Sequence, residues 1–203
     1  MSSHHFVKEQ QEPALFILDT SASYKTISPL LEWSPTVLVA EMAVDTVLSW
    51  GIKVDVILAT ADYQKNHLHL LEEQYPVKFM AVQDSQFLEE GLHYLIASKH
   101  SAVNIIGYDH AKVYDLEQFL NLIDLVIIDG PIRYFPVKHG EFRKWYNGVS
   151  VQLHAPEATV VEVKSEDDSQ LISITHATFV EVQGQVSFHS PDLFWIGEMM
   201  ADI

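Results

Sequence analysis

Up to about residue 129, short runs of β-branched and aliphatic residues alternate with longer stretches whose apolar positions recur at helical spacing. The runs cover residues 14–18, 36–40, 54–58, 77–81, 103–106 and 125–128. Their apolar character is continuous rather than alternating, as in strands covered by helices on both faces of a mostly parallel sheet. Between them, residues 28–33, 41–50, 64–74, 85–99 and 114–122 are expected to be helical. The fourth is the clearest. Phe87, Leu88, Gly91, Leu92 and Leu95 fall at i, i+1, i+4, i+5 and i+8, with Glu89, Glu90 and His93 on the other face.

After Gly130-Pro131 the period changes from 3.6 to 2. Strands are expected at 132–135, 149–153, 159–163, 171–174, 178–182, 186–188 and 193–196, several alternating apolar with polar residues as antiparallel strands do. Asn147-Gly148 and Gln183-Gly184 read as hairpin turns, because glycine takes positive φ freely. The acidic stretch 166–169 reads as an exposed turn. The expected fold class is therefore α/β. A mostly parallel sheet with flanking helices over residues 13–130 is followed by a small antiparallel all-β, sandwich-like domain over 131–203, and residues 1–12 form a disordered lead-in.

Composition narrows the partners. Twelve Lys and Arg stand against 28 Asp and Glu, a formal net charge of −16. Gripping a phosphodiester backbone takes clustered cations, and here only Arg143-Lys144 are adjacent, so nucleic acid is not an expected partner. An anionic membrane surface is disfavoured for the same reason, and no apolar run approaches the roughly 20 residues that span a bilayer. With no signal-type apolar stretch near the N-terminus, a cytoplasmic location is expected. The absence of cysteine removes disulfides, thiolate nucleophiles and zinc–thiolate sites, so chemistry must use oxygen and nitrogen groups.

Neither phosphate-binding glycine signature, G-x-x-x-x-G-K-[ST] or G-x-G-x-x-G, occurs, and there is no G-x-S-x-G elbow. Of eleven histidines, His4 and His5 belong to the lead-in, and His67 and His69 are the tightest pair beyond it, but they lie in a stretch expected to be helical, where residues two apart diverge. Carboxylates are better placed. Glu41, Asp62, Asp84 and Asp109 follow the second to fifth apolar runs, and in a parallel sheet those ends converge on the rim where open α/β proteins bind ligands. Taken singly, each also reads as a helix cap or first-turn acid, and Asp109-His110 reads as a loop cap or as part of a ligand site.

The order of these motifs resembles thiamine pyrophosphokinase, a family that transfers pyrophosphate from ATP to thiamine. Trp50-Gly-Ile-Lys-Val-Asp-Val-Ile-Leu58 is similar to the family's L-G-I-K-P-D-V-I-I and fixes the register. Glu41-Met-Ala-Val-Asp45 then falls on D-G-G-A-N, Ala59-Thr-Ala-Asp-Tyr63 on G-D-F-D-S, and Gln83-Asp-Ser-Gln-Phe-Leu-Glu-Glu-Gly-Leu92 on Q-D-K-T-D-L-E-x-A-L. Ile105-Ile-Gly107 supplies the strand–glycine step. His110-Ala-Lys-Val-Tyr-Asp115 falls where the family has G-G-R-x-D-H.

The resemblance implies a homodimer formed through the β domain and a small-molecule site, for a nucleotide or a thiamine-like ligand, built from Glu41, Asp45, Asp62, Gln83, Asp84, Asp109 and Lys112. Glu41 and Asp62 would be its metal ligands. The departures fall on the chemistry. Thr60 and Phe87 replace two aspartates, Met42 and Ala43 replace glycines, and only Lys112 is kept as a cation of the last motif. The expected function is thus a thiamine pyrophosphokinase-like protein lacking pyrophosphate transfer and retaining small-molecule or partner binding. The alternative is a divergent Mg²⁺-dependent phospho- or pyrophosphotransferase, and Mg²⁺ is an expected cofactor only on that reading.

Overall fold

In a computed structural model of the chain, the described residues are 12–200 except 21, 84–85, 139, 167 and 176–177. They fall into two compact units, Met1–Gly130 and Pro131–Ile203. The tail expected over 1–12, with His4 and His5, lies outside the described residues apart from Glu12.

The first unit carries six parallel strands: β1 (Ala14–Ile17), β2 (Val37–Ala40), β3 (Val56–Ala59), β4 (Lys78–Ala81), β5 (Ala102–Ile106) and β6 (Asp124–Asp129). Their order is β6-β5-β1-β2-β3-β4. Every residue of β1, β2 and β3 is buried, the condition that makes their sequence continuously apolar. At the edge, β4 leaves Lys78 and Ala81 exposed.

The longest α-helix, α5 (Phe87–Ala97), buries the expected stripe of Phe87, Leu88, Gly91, Leu92 and Leu95. Gly91 lets it close on β1, because a Cβ there would overlap the Phe16 ring and come within 3.2 Å of Leu58 Cδ2. The other helical stretches are shorter and more broken than their apolar spacing suggests. Residues 28–33 prove to be the end of a segment begun by α1 (Tyr24–Ile27), which Ser23 caps, and continued as a 3₁₀ turn over Ser28–Leu31. Residues 41–50 divide into a 3₁₀ turn, Glu41–Ala43, and α2 (Val44–Ser49). Residues 64–74 divide into α3 (Ala61–Asn66) and α4 (Leu70–Glu73), with His67, Leu68 and His69 in the break. Residues 114–122 fall within a 3₁₀ helix, His110–Phe119, and the turn after it.

The second unit is a series of antiparallel strands: β7 (Ile132–Val137), β8 (Glu141–His154), β9 (Val160–Lys164), β10 (Ser169–Ser173), β11 (Thr178–His189) and β12 (Phe194–Met199). The order is β10-β9-β11-β8-β12-β7, around a cluster that includes Tyr146, Leu153, Val161, Phe188, Phe194 and Ile196. The hairpin turns expected at Asn147-Gly148 and Gln183-Gly184 are not there. Both pairs lie inside long strands, β8 and β11, which pair with each other on either side of a register shift between Val182 and Gly184. Gly148 (φ 60°) and Gly184 (φ 73°) use their positive φ for this irregularity instead of for a reversal. The expected strands 178–182 and 186–188 are consequently one, β11, and the expected 149–153 is the second half of β8.

Candidate functional site

In the order β6-β5-β1-β2-β3-β4 the chain winds outward from β1 to β4 and then returns to β1's other side with β5. The switch point is between β1 and β5, and ligands of such sheets bind beyond the carboxyl ends of the strands there. Those ends carry Asp19 after β1, Glu41 after β2, Thr60 after β3, Gln83 after β4, Gly107 to His110 after β5, and Asp129 at the end of β6.

Glu41 Oε2 accepts the Thr60 N–H at 2.7 Å and the Thr60 hydroxyl at 2.9 Å. Thr60 also N-caps α3, its Oγ1 accepting the Tyr63 N–H at 3.3 Å. One oxygen of the carboxylate is thus spent on locking the β2 and β3 ends together. Asp62, one residue into α3, has a side chain 92% exposed and pairs with Lys65 at 3.6 Å. Asp45 is exposed in the first turn of α2, and its charge, with that of Glu41, reaches Tyr63. Burial chiefly, and then these two charges, push the Tyr63 phenol above its usual pKa. The Tyr63 hydroxyl is enclosed without a hydrogen-bond partner among the described residues.

Gln83 is exposed, and its carbonyl accepts the Gln86 N–H at 3.1 Å at the start of α5. Asp84 lies outside the described residues. Phe87, on one of the aspartate positions of the resemblance, is 7% exposed and belongs to the core.

A second group forms at the β5 and β6 ends. His110 Nδ1 and Asp129 Oδ2 are 2.7 Å apart, and the His110 N–H donates to the same oxygen at 3.2 Å. Asp109 Oδ1 is 4.0 Å from His110 Nδ1 and accepts the Ala111 N–H at 2.9 Å, the loop-capping role open to it from sequence. Ligand atoms of Asp109, His110 and Asp129 all lie within 4.8 Å of one another. Gly107 (φ 82°) lets the β5 end pass close to the β1 end, since a Cβ there would lie 2.6 Å from the Asp19 backbone nitrogen. Lys112 is exposed, and its carbonyl accepts the Tyr108 hydroxyl at 2.9 Å. Burial first, then the charges of Asp115, Glu89 and Asp109, raise the Tyr108 phenol to about 12.

Of the expected residues, only Asp109 belongs to a compact group of ligand atoms among the described residues. Among the described residues, no group of three carboxylate or imidazole ligands includes Glu41 or Asp62, or His67 with His69. His67 stacks on the Tyr63 ring at 3.8 Å and its Nδ1 is 2.8 Å from the Tyr63 carbonyl oxygen. Sequence reasoning passed over Asp19 and Asp129, although each ends an apolar run, the same signal that selected Glu41 and Asp109.

Most of the chain can be laid on solved structures. The thiamine pyrophosphokinase of Bacillus subtilis superimposes with a TM-score of 0.66 over 93% of this chain and 99% of that one, at 11% identity. The chain has the thiamine pyrophosphokinase fold. The enzyme of Geobacillus thermodenitrificans gives a TM-score of 0.65 at 12% identity, over 93% and 98% of the two chains. Yeast thiamin pyrophosphokinase gives 0.60 at 9% identity, over 95% and 87%. No protein-family model and no curated protein sequence matches the chain.

Mg²⁺ takes hard oxygen ligands in near-octahedral order, and in phosphoryl-type transfer it neutralises the charge that develops on the phosphates. Four of the positions implied by resemblance offer poor or already engaged donors for that task. Glu41 Oε2 already holds two donors, Thr60 offers a hydroxyl engaged with that carboxylate and with the Tyr63 N–H, Phe87 is apolar and buried, and Asp62 is turned into solvent.

No described helix is long and apolar enough to cross a membrane.

Proposed function

We propose that this protein is a non-catalytic bearer of the thiamine pyrophosphokinase fold that binds a small molecule at its strand-end rim without transferring pyrophosphate. The observation that supports this most is the Glu41–Thr60 lock. A carboxylate at a metal-ligand position is tied to the backbone and side chain of the residue that stands where a second carboxylate would be needed. The binding region is the β1/β5 switch point, where Asp19, Asp109, His110 and Asp129 gather, and the protein works as a homodimer associated through its β unit.

A thermal-shift panel with AMP, Mg-ATP, thiamine and thiamine diphosphate tests this, because a ligand at 100 times its dissociation constant stabilises by about 2.7 kcal/mol. The expected result is stabilisation by at least one member, unchanged when EDTA replaces Mg²⁺. Stabilisation that needs Mg²⁺ contradicts the proposal.

One observation favours a second reading, a divergent transferase. Asp109, His110 and Asp129 offer two oxygens and a nitrogen in one place, so metal-supporting groups stand at the β5 and β6 ends in place of the β2 and β3 ends. On that reading Asp129→Asn abolishes a Mg²⁺- or Mn²⁺-dependent turnover.

A further inference from the structure

At the opposite end of β2 and β3 from Glu41 and Thr60, a cavity of about 560 Å³ opens at the amino ends of the strands. This size lies within the roughly 300–1,000 Å³ typical of small-molecule sites. Its walls include three aromatic rings, Tyr24, Trp33 and Trp50, and two of the chain's four tryptophans are among them. Tyr24 and Trp50 are 6.1 Å apart at 49°, a tilted pair that forms a corner. Trp33 is 70% exposed and has no ring partner among the described residues. An indole left in water forfeits the stabilisation its burial would supply, so a rim tryptophan beside an open cavity is a surface waiting to be covered.

The backbone around Trp33 is held, not loose. Ser34 sits at φ 53°, unfavourable for a residue with a Cβ, and Pro35 follows at once. Strain of this sort collects where a side chain must be presented to a ligand.

The charged groups on the wall select the ligand's sign. Among the described residues, Glu12 and Asp55 line the cavity against a single exposed cation, Lys53. Asp55 Oδ2 accepts the Val37 N–H at 2.8 Å, which fixes the carboxylate on the cavity wall, and its Oδ1 has no hydrogen-bond partner among the described residues. The chain as a whole carries a net charge of −16. Aromatic faces and carboxylates together attract organic cations, whose charge is spread over carbon and weakly hydrated, and the same field repels phosphates and other anions.

We propose that the cavity framed by Tyr24, Trp33 and Trp50 is a binding site for a small organic cation of the substituted-ammonium class, separate from the strand-end rim. The cation rests against the indole faces of Trp33 and Trp50, with Asp55 supplying the countercharge.

The test is a fluorescence titration of the full chain at pH 7 with choline and with its neutral isostere 3,3-dimethylbutan-1-ol, which differ in charge but scarcely in shape. Choline is expected to change the tryptophan emission saturably, and the isostere to bind about fivefold or more weakly, the range cation–π contacts give. Trp33→Ala, a substitution at an exposed position, should keep the wild-type circular dichroism and weaken choline about fivefold or more. Trp145→Phe, at an exposed tryptophan of the β unit, should leave the affinity unchanged. Equal binding of choline and the isostere would show a merely apolar cleft and overturn the proposal. So would an unchanged affinity in Trp33→Ala, a response that follows protein concentration and so reports a second copy in the cavity, or no saturable response at all.

Discussion

Replacing Glu198 by glutamine removes one negative charge from a densely hydrogen-bonded group in the β unit. The Glu198 side chain is 7% exposed and lies on the same face of β12 as Phe194 and Ile196, so it ends the core cluster with a charge. Lys144 Nζ donates at 2.7 Å to both its oxygens, Arg133 Nη2 donates at 2.7 Å and Nε at 3.2 Å to Oε2, and the Tyr146 hydroxyl donates at 2.8 Å to Oε1. Hydrogen bonds to charged groups contribute about 1.5–3 kcal/mol each. Arg133 and Lys144 are 48% and 37% exposed, so water recovers part of what they lose and the low end of that range applies to each. Tyr146 keeps an acceptor in the glutamine carbonyl.

The expected cost of Glu198→Gln is about 2–3 kcal/mol, which at roughly 2–4 °C per kcal/mol for a chain of this length lowers Tm by about 4–12 °C. Scanning calorimetry at pH 7 reads it. The quadruple variant Arg133→Met, Lys144→Met, Tyr146→Phe, Glu198→Leu should recover most of the loss, because it leaves neither a charge nor a buried hydroxyl unpaired. A Glu198→Gln protein within about 1 °C of wild type would refute the reasoning.

The same group gives a pH dependence. Burial opposes its ionisation, but the hydrogen bonds from Lys144, Arg133 and Tyr146 outweigh burial and hold the carboxyl below its ordinary value. A depressed folded pKa contributes stability that is present above the unfolded value, about 4.3, and is lost as pH falls through the folded value. Wild type and Glu198→Gln should therefore converge in Tm as pH drops below about 4.

Gly91→Ala should destabilise by about 1–3 kcal/mol, an overpacking cost set by the Phe16 ring, and urea unfolding should recover stability when Phe16→Leu is added. His100, buried and placed 3.0 Å from Thr36 Oγ1 and 3.2 Å from Ser98 Oγ, has a pKa lowered by burial, so protonating it costs folding energy. Stability should fall as pH drops below about 6.5, and His100→Gln should flatten that slope. Light scattering at micromolar concentration should give twice the 23.1 kDa monomer mass, carried by exposed apolar groups of the β unit such as Trp145 and Phe179, and Trp145→Glu should lower it.

What the sequence revealed and what it hid have physical causes. Strands buried on both faces must be apolar throughout, so β1, β2 and β3 were legible, and the five-residue stripe of α5 was legible because one face of an amphipathic helix repeats. The long strands β8 and β11 were not. Lys144 stands on the core face of β8 only because Glu198, far along the chain, neutralises it, and no local pattern reports such a partner. Asn147-Gly148 is a strong turn signal, and here the glycine serves a bulge instead. At the rim, strand-end carboxylates could be read off as candidates, but which of them are already occupied could not. Thr60 reads as a lost ligand. Only the fold shows that it also ties up Glu41.

The central claim, that this rim does not perform pyrophosphate transfer, is tested most directly by incubating the purified protein with Mg-ATP and thiamine and measuring thiamine diphosphate by mass spectrometry beside the Bacillus subtilis enzyme. If each of two missing charge-stabilising contacts costs about 2.7–4 kcal/mol, turnover should be at least about four orders of magnitude below that control. Turnover within about tenfold of the control, and abolished by Asp62→Asn, would contradict the account.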